Sequence, residues 1–371
     1  MRKHLVLVGG GHAHMVTLAN LHTFVEKGHR VTVIGPSAHH YYSGMGPGML
    51  GKTYTPQEIR FATQHVVEKK GGTFCLGKAA RVNADDKTVI LESGETLSYD
   101  VISFNAGSYV PRLNLSGQVK DIYSVKPIER LMQARDRILE LSAQKKISVG
   151  IVGGGPSAAE IAGNLWQLAS EAGRQIPDIR IFAGKRFMAR FSEKVRKRVE
   201  NTLVKRGIRI LTDGYVQSIE GLRVKQDAGQ TQDLDVLFLA MGVKPNPIFT
   251  NSKLPTGPDG GLLVNAFLQC DAHPDMFGGG DCIYFHKRPL DKVGVYAVRQ
   301  NPVLYHNLMA RLEGKDLQAF DPGGDYLLIF NMGGGKGVLQ KKGVTFGGRP
   351  AFFIKDYIDR KFMQKFQAIE N

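Results

Sequence analysis

Two glycine triplets, Gly9-Gly10-Gly11 and Gly153-Gly154-Gly155, each stand where a short apolar run gives way to a helical pattern. Such a turn has a defined chemical use. Its first glycine permits the tight reversal and its second lets the backbone approach a pyrophosphate. The helix that follows offers free N–H groups and a partial positive charge to that anion. Gly9 and Gly11 fit the first two positions, followed by His12, a donor beside the pyrophosphate, and Ala13. His14 occupies the place where a third glycine is usual, a position that sets helix–strand packing. In the second turn Gly153, Gly155, Pro156 and Ser157 match, and Ala158 takes the third place. Either turn alone is a weak signal. Two in strand–turn–helix context point to two dinucleotide sites.

The residue ending the second strand of such a unit normally reads a ribose through a carboxylate. The first unit has Gly35-Pro36-Ser37 there, leaving Ser37 as the nearest polar group. The second has Ala183-Gly184-Lys185-Arg186. A missing acid followed by two cations admits a 2′-phosphate, and equally reads as solvated loop charge. NADH, NADPH and no nicotinamide cofactor stand level on this feature. Glu160 lies just inside the second helix, where the helix dipole favours a carboxylate.

His12-Ala13-His14 and His39-His40 invite a metal reading. No acid or cysteine falls at zinc spacing, and the first pair lies in a phosphate turn, so no metal is expected. Cys75, Cys270 and Cys282 are odd in number and far apart, which fits buried structural thiols in a reducing compartment.

The elements that must carry these residues alternate as in a doubly wound α/β fold. Strands are expected at residues 4–8 and 30–34, with a helix from His14 to about Glu26 between them. A hairpin or meander follows over Asp85–Thr96, and Asn105-Ala106-Gly107 closes the block. The plan repeats with a helix over 128–142, strands over 148–152 and 178–182, and a helix over 156–172. Late elements are a helix over 294–312, a hairpin around 331–335 and a helix over 351–368. The last places Ile354, Ile358, Phe362, Phe366 and Ile369 on one stripe, with Lys355, Arg360, Lys361 and Lys365 off it. It either docks on the core or rests on a membrane surface.

The chain has 371 residues, enough for two or three full cores, and a net charge of +15. No nucleic-acid-binding module is visible, so nucleic acid is not expected as a partner. The apolar start is too short for a signal peptide, and no run approaches the ~18 apolar residues of a membrane span.

Several motifs together resemble the pyridine nucleotide-disulfide oxidoreductase superfamily, in its type II NADH dehydrogenase and sulfide:quinone oxidoreductase branch. They are VLVGGGHAH (6–14), FNAG (104–107), IVGGGPSAAEIAGNL (151–165), LAMGVKPN (239–246) and GGGDCIYF (278–285). Further likeness, in YSGM (42–45), GVYAVRQ (294–300) and KDYIDRKFM (355–363), is to an NADH dehydrogenase-like flavin domain related to selenide, water dikinase fusions. The resemblance implies two Rossmann-like domains, the second inserted in the first. FAD would lie on residues 1–110 and 265–320, NAD(P)H on 111–264, with a small C-terminal region over 321–371. It implies flavin contacts from Pro47, Ala80, Asn105, Ala106, Gly107, Gly280, Asp281, Lys292, Gly294 and Val295, and a nicotinamide contact from Gly242. Asp281 would bind the ribityl chain, the helix opening at 292–297 would point at the flavin pyrimidine, and Glu160, matching a glutamate the family keeps, would relay protons or contact the nicotinamide.

The activity implied is NAD(P)H oxidation through flavin to a quinone or other two-electron acceptor. Sulfide oxidation and a non-enzymatic flavin module are the alternatives. Two redox cysteines are absent after the second strand, which argues against a dithiol mechanism. Val295 and Arg299 replace two glutamines expected at the quinone site, with Gln300 as a partial substitute. A cytoplasmic location, a homodimer and peripheral contact with the inner face of the cell membrane complete these expectations.

Overall fold

The computed structural model describes residues 1–111, 115–116, 120–227 and 229–370. Strand His4–Val8 is buried along its whole length. A strand apolar on both faces must be covered on both, which suits the middle of a parallel sheet. It lies between Val101–Phe104 and Arg30–Gly35, parallel to each. Thr73–Leu76 and His273–Gly278 extend the parallel set, and Gln269–Cys270 adds an antiparallel edge. The second sheet copies this plan. Ser148–Val152 is flanked by Val236–Leu239 and Asp178–Phe182, with Ile122–Ser124 and Arg209–Leu211 outside, all parallel. Ser108–Tyr109 pairs with Lys244–Pro245 where the chain passes between the two units.

The fold class is as expected, with local departures. The first helix begins as a short 3-10 turn, His12–His14, continues as Met15–Ala19, and breaks at Asn20 before Leu21–Glu26. Asn20 Nδ2 donates to the Val16 carbonyl and Thr23 Oγ1 donates to the Asn20 carbonyl, so side chains compete with the helical ladder there. The meander comprises Ala79–Asn83, Thr88–Leu91 and Thr96–Ser98. Ile248, Phe249, Leu254, Leu262 and Val264 pack in the first core, although they fall within the 111–264 span expected for the inserted unit. Conversely Met45, Met49 and Leu50 of the N-terminal segment join the second core.

The C-terminal region is a three-stranded antiparallel sheet, Leu328–Asn331, Gly337–Lys341 and Val344–Gly348, followed by helix Arg349–Gln367. That helix corrects the expected stripe. Its buried residues are Ala351, Lys355, Asp359, Met363 and Phe366, while Ile358 is exposed. Lys355 faces inward because Asp359, one turn later, neutralises it at 2.8 Å. The apolar side chains at 353, 357 and 358 are left outside.

Candidate active site

The first glycine turn is built against Asn105. Gly9 has φ +91°, and a Cβ there would lie 2.3 Å from the Asn105 carbonyl oxygen. A Cβ on Gly11 would lie 2.2 Å from Asn105 Oδ1, which also accepts from the Ala13 N–H at 3.3 Å. His14 explains the missing third glycine. Its ring is buried and desolvation pushes its pKa down to about 4, so it is neutral. Nδ1 lies 2.6 Å from the Gly9 carbonyl oxygen, which can only accept, so Nδ1 carries the proton. Nε2 then accepts from Ser103 Oγ at 2.8 Å. The imidazole thus pins the turn to the adjacent strand.

The late GD element closes the same space. Asn105 Nδ2 donates to the Gly279 carbonyl at 2.9 Å, and the Gly280 N–H donates to Gln300 Oε1 at 2.7 Å. Ser108 Oγ and Lys126 Nζ both donate to Asp281 Oδ2 at 2.7 Å. Burial alone would raise the Asp281 pKa, but the Lys126 charge and these hydrogen bonds outweigh it and hold the group ionised.

A polar cluster lies beneath the C-terminal helix. Lys355 Nζ donates to the Gly44 carbonyl at 3.0 Å and to Asp359 Oδ2 at 2.8 Å. Tyr42 Oη donates to Asp359 Oδ1 at 3.0 Å. Glu160, on helix Pro156–Glu171, accepts from the Asn331 N–H at 2.8 Å. Desolvation pushes its pKa up to about 7, against the pull of Lys355 and that hydrogen bond. The Tyr42 ring reaches the first glycine turn, 5.2 Å from His12, and Phe362 stacks on His12 at 5.5 Å. The cluster therefore spans from one glycine turn to the helix that follows the other.

The second turn leans on its neighbour strand as the first does. A Cβ on Gly153 would lie 2.1 Å from the Ala240 carbonyl oxygen, while a Cβ on Gly155 would meet nothing within 4 Å. Pro156 occupies the start of a 16-residue helix, where a missing N–H costs nothing.

Residues 3–308 match the pyridine nucleotide-disulphide oxidoreductase family. The chain belongs to this family. It is 25% identical to ferroptosis suppressor protein 1 of Xenopus laevis, over 92% of this chain and 90% of that one. It is 23% identical to demethylphylloquinone reductase NdbB of Synechocystis, over 95% and 90%. Among solved structures, NDH2 of Plasmodium falciparum superposes with a TM-score of 0.83 at 14% identity, covering 100% of this chain and 97% of that one. The sulfide:quinone oxidoreductase of Aquifex aeolicus gives 0.79 at 18%, covering 99% and 92%.

The first site fits the family's FAD. His40 Nε2 and Thr63 Oγ1 are buried without partners. Both side chains border the first turn, since a Cβ on Gly10 or Gly11 would approach them. Gly107, at φ +68°, and Gly294, first in helix Gly294–Glu313, have open space where a Cβ would stand. Nearby, Asn246 Nδ2 donates to the Ala106 carbonyl at 3.4 Å, and Lys292 pairs with Asp259 at 2.8 Å. Val295 follows Gly294 in the same helix. Ser37 Oγ accepts from the His39 N–H at 3.2 Å, Ala80 lies in the meander, and Pro47 is buried in helix Gly46–Leu50. Gly242, at φ +87°, is open at the second site.

Gln300 is 1% exposed, with its carbonyl oxygen committed to Gly280. Arg299 donates to the Pro322 and Gly324 carbonyls. Cys282 is buried, donates to the Gly279 carbonyl at 3.3 Å, and has its thiol pushed up to about 11 by burial. Burial raises Cys270 as well, so neither is a ready thiolate. Among the described residues no group of three His, Cys, Asp or Glu could hold a metal, and no helix is long and apolar enough to cross a membrane.

Sequence reasoning missed Ser108, Lys126, Tyr42 and Asp359. The only local signal was Lys355-x-x-x-Asp359, a pair one helical turn apart on the same face as Ala351 and Met363.

Proposed function

We propose that the protein oxidises NAD(P)H and reduces a quinone. The carrying observation is the polar cluster joining the two glycine-turn sites, centred on Glu160 with a pKa of about 7. Bound FAD supplies the two-electron relay between the nicotinamide and the acceptor. The chain's own residues do the rest. Gly153, Gly155, Pro156, Ser157 and Gly242 seat the nicotinamide dinucleotide, and Asp281, set by Lys126 and Ser108, orients the flavin chain.

Quinone reduction takes up protons as well as electrons. Glu160 is half protonated near neutrality and gives up a proton at its carboxyl oxygen. Lys355 and Asp359 stand behind it as fixed charges, and Gln300 holds the Gly280 backbone in place. Two relatives' names support this reading: a demethylphylloquinone reductase and an NADH dehydrogenase-like protein of Bacillus subtilis.

A lipid quinone is met at a membrane surface. The terminal helix exposes Phe353, Tyr357 and Ile358, with Lys361 and Lys365 also at the surface. We place this face against an anionic bilayer, the inner face of the cell membrane, as a peripheral contact.

Anaerobic stopped-flow mixing tests the activity. NADH or NADPH should bleach the flavin, and a soluble quinone should restore its colour. If neither nicotinamide bleaches it, the reading is wrong. Bleaching by sulfide alone would favour sulfide oxidation.

A further inference from the structure

We propose that the second glycine turn takes a 2′-phosphorylated nicotinamide dinucleotide, NADPH, in preference to NADH, with Lys185 and Arg186 holding the 2′-phosphate. This rests on the nicotinamide reading above and narrows it to one substrate.

The ribose next to adenine is read at the end of the strand beside the glycine-turn strand. Here that strand is Asp178–Phe182, and the segment after it is Ala183-Gly184-Lys185-Arg186-Phe187-Met188. It contains no carboxylate to accept from a 2′-hydroxyl. It is also held against the turn. The Met188 N–H donates to the Gly154 carbonyl at 2.7 Å, and a Cβ on Gly154 would lie 2.6 Å from the Ala183 carbonyl oxygen. Gly184 bridges to Gly214, and the Ala183 N–H donates to the Leu211 carbonyl at 2.8 Å. Ala183, Gly184, Phe187 and Met188 are buried, and Lys185 and Arg186 stand exposed between them. The two cations ride on a short loop anchored at both ends beside the pyrophosphate turn.

Their charge is not cancelled. Among the described residues no carboxylate pairs with Lys185. Arg186 lies 3.8 Å from Glu193, which also contacts Arg196 and pairs with Lys197 at 3.6 Å. One exposed carboxylate shared by three cations leaves the loop positive. A phosphate dianion gains charge-assisted hydrogen bonds there, and a ribose hydroxyl gains none of comparable strength. Two other acids lie on this edge, both outside the loop that follows Asp178–Phe182. Asp227 Oδ2 accepts from the Tyr215 N–H at 2.9 Å, and Asp213 follows the next strand, Arg209–Leu211. The Tyr215 ring packs over Gly184 and is 58% exposed, which offers the adenine an aromatic face beside the cations.

The test uses the FAD-loaded enzyme and two probes, 2′,5′-ADP and 5′-ADP, in titration calorimetry at physiological salt. The 2′-phosphate should tighten binding about 30-fold or more, as expected for charge-assisted contacts. Lys185→Ala with Arg186→Ala should abolish that difference and raise the NADPH concentration needed for half-maximal flavin reduction by a similar factor. The NADH dependence should move by a much smaller factor, since NADH lacks the 2′-phosphate. Lys185→Arg with Arg186→Lys should keep the preference, and unchanged thermal midpoints confirm that each variant folds.

Equal binding of the two probes, or a preference that survives the double alanine variant, overturns the proposal. So does NADH reduction saturating at lower concentration than NADPH, lost in Asp213→Asn. In these cases NADH still bleaches the flavin, so the oxidoreductase reading stands. Failure of both nicotinamides to bleach it removes that reading, and this inference with it.

Discussion

The two glycine turns have the same backbone construction and opposite surroundings. In each, the first glycine N–H donates to the last residues of the following strand, Gly9 to Ile34 and Gly153 to Phe182. Each is flanked by a strand whose next residue donates back, Asn105 to Val8 and Ala240 to Val152. At the last glycine of each triplet they part. Gly11 is pressed against the Asn105 side chain, and Gly155 has free space in front of it. The first turn is roofed by His12, Tyr42 and Phe362, whose rings contact one another. A closed turn suits a resident cofactor, and an open one suits a dinucleotide that arrives and leaves each cycle.

That contrast is broken most directly at its glycines. Gly9→Ala forces an L-residue to φ +91° and drives a methyl into backbone. A misfit of this kind costs ~1–3 kcal/mol for the strained backbone alone. The variant should lose flavin, read as absorbance per chain, and melt earlier. Gly155→Ala has an ordinary φ of −99° and open space. It should fold and keep its flavin, while its methyl obstructs the pyrophosphate and weakens NAD(P)H by about tenfold, or ~1.4 kcal/mol. If both variants lose flavin alike, the two turns do not differ as described.

Glu160 comes next. Replacing a positioned proton donor typically costs about 10²–10⁴ in rate. Glu160→Gln should therefore slow quinone reduction to that extent while leaving flavin reduction by nicotinamide largely intact. A donor acts when protonated, so the wild-type rate should be flat below about pH 7 and fall above it. Lys355 lowers the Glu160 pKa, so Lys355→Met should move the break to higher pH. A profile that rises with pH would sink the donor role.

The aromatic roof should give a smaller effect. Phe362→Ala removes a stacking contact worth ~0.5–1.5 kcal/mol beyond its buried area. Faster flavin release on dilution is expected, with little change at the second site. Smallest of all, Phe353→Ser at an exposed position should leave stability within about 0.5 kcal/mol. It should still reduce co-sedimentation with anionic vesicles, and unchanged co-sedimentation would remove the membrane face.

What the sequence disclosed follows from distance along the chain. The glycine turns, Asn105–Gly107 and Asp281 are legible because each is a local device whose spacing is set by one turn. His14 departs from the usual glycine, and the partner that explains it, Ser103 Oγ, comes 89 residues later. Ser108 and Lys126 reach Asp281 only in the fold, across 173 and 155 residues of chain. Lys355 stands off the apolar stripe, and three further cations follow it in the helix. Only the packing of Asp359 and Tyr42 shows which face turns inward. Charge type is visible in a sequence, but the direction of a charged side chain depends on partners brought by other segments.

The roof over the first turn also has a schedule. Phe362 follows His12 by 350 residues. At about 5–20 residues per second, a ribosome needs roughly 20–70 s to pass from one to the other. The turn and its strand emerge long before the helix that covers them, so the cofactor compartment closes only after residue 362 has been made. Until then the aromatic faces of His12 and Tyr42 lie open to water and to proteases. A cell short of flavin should accumulate chains nicked near this helix, which makes cofactor supply a determinant of how much of the protein survives.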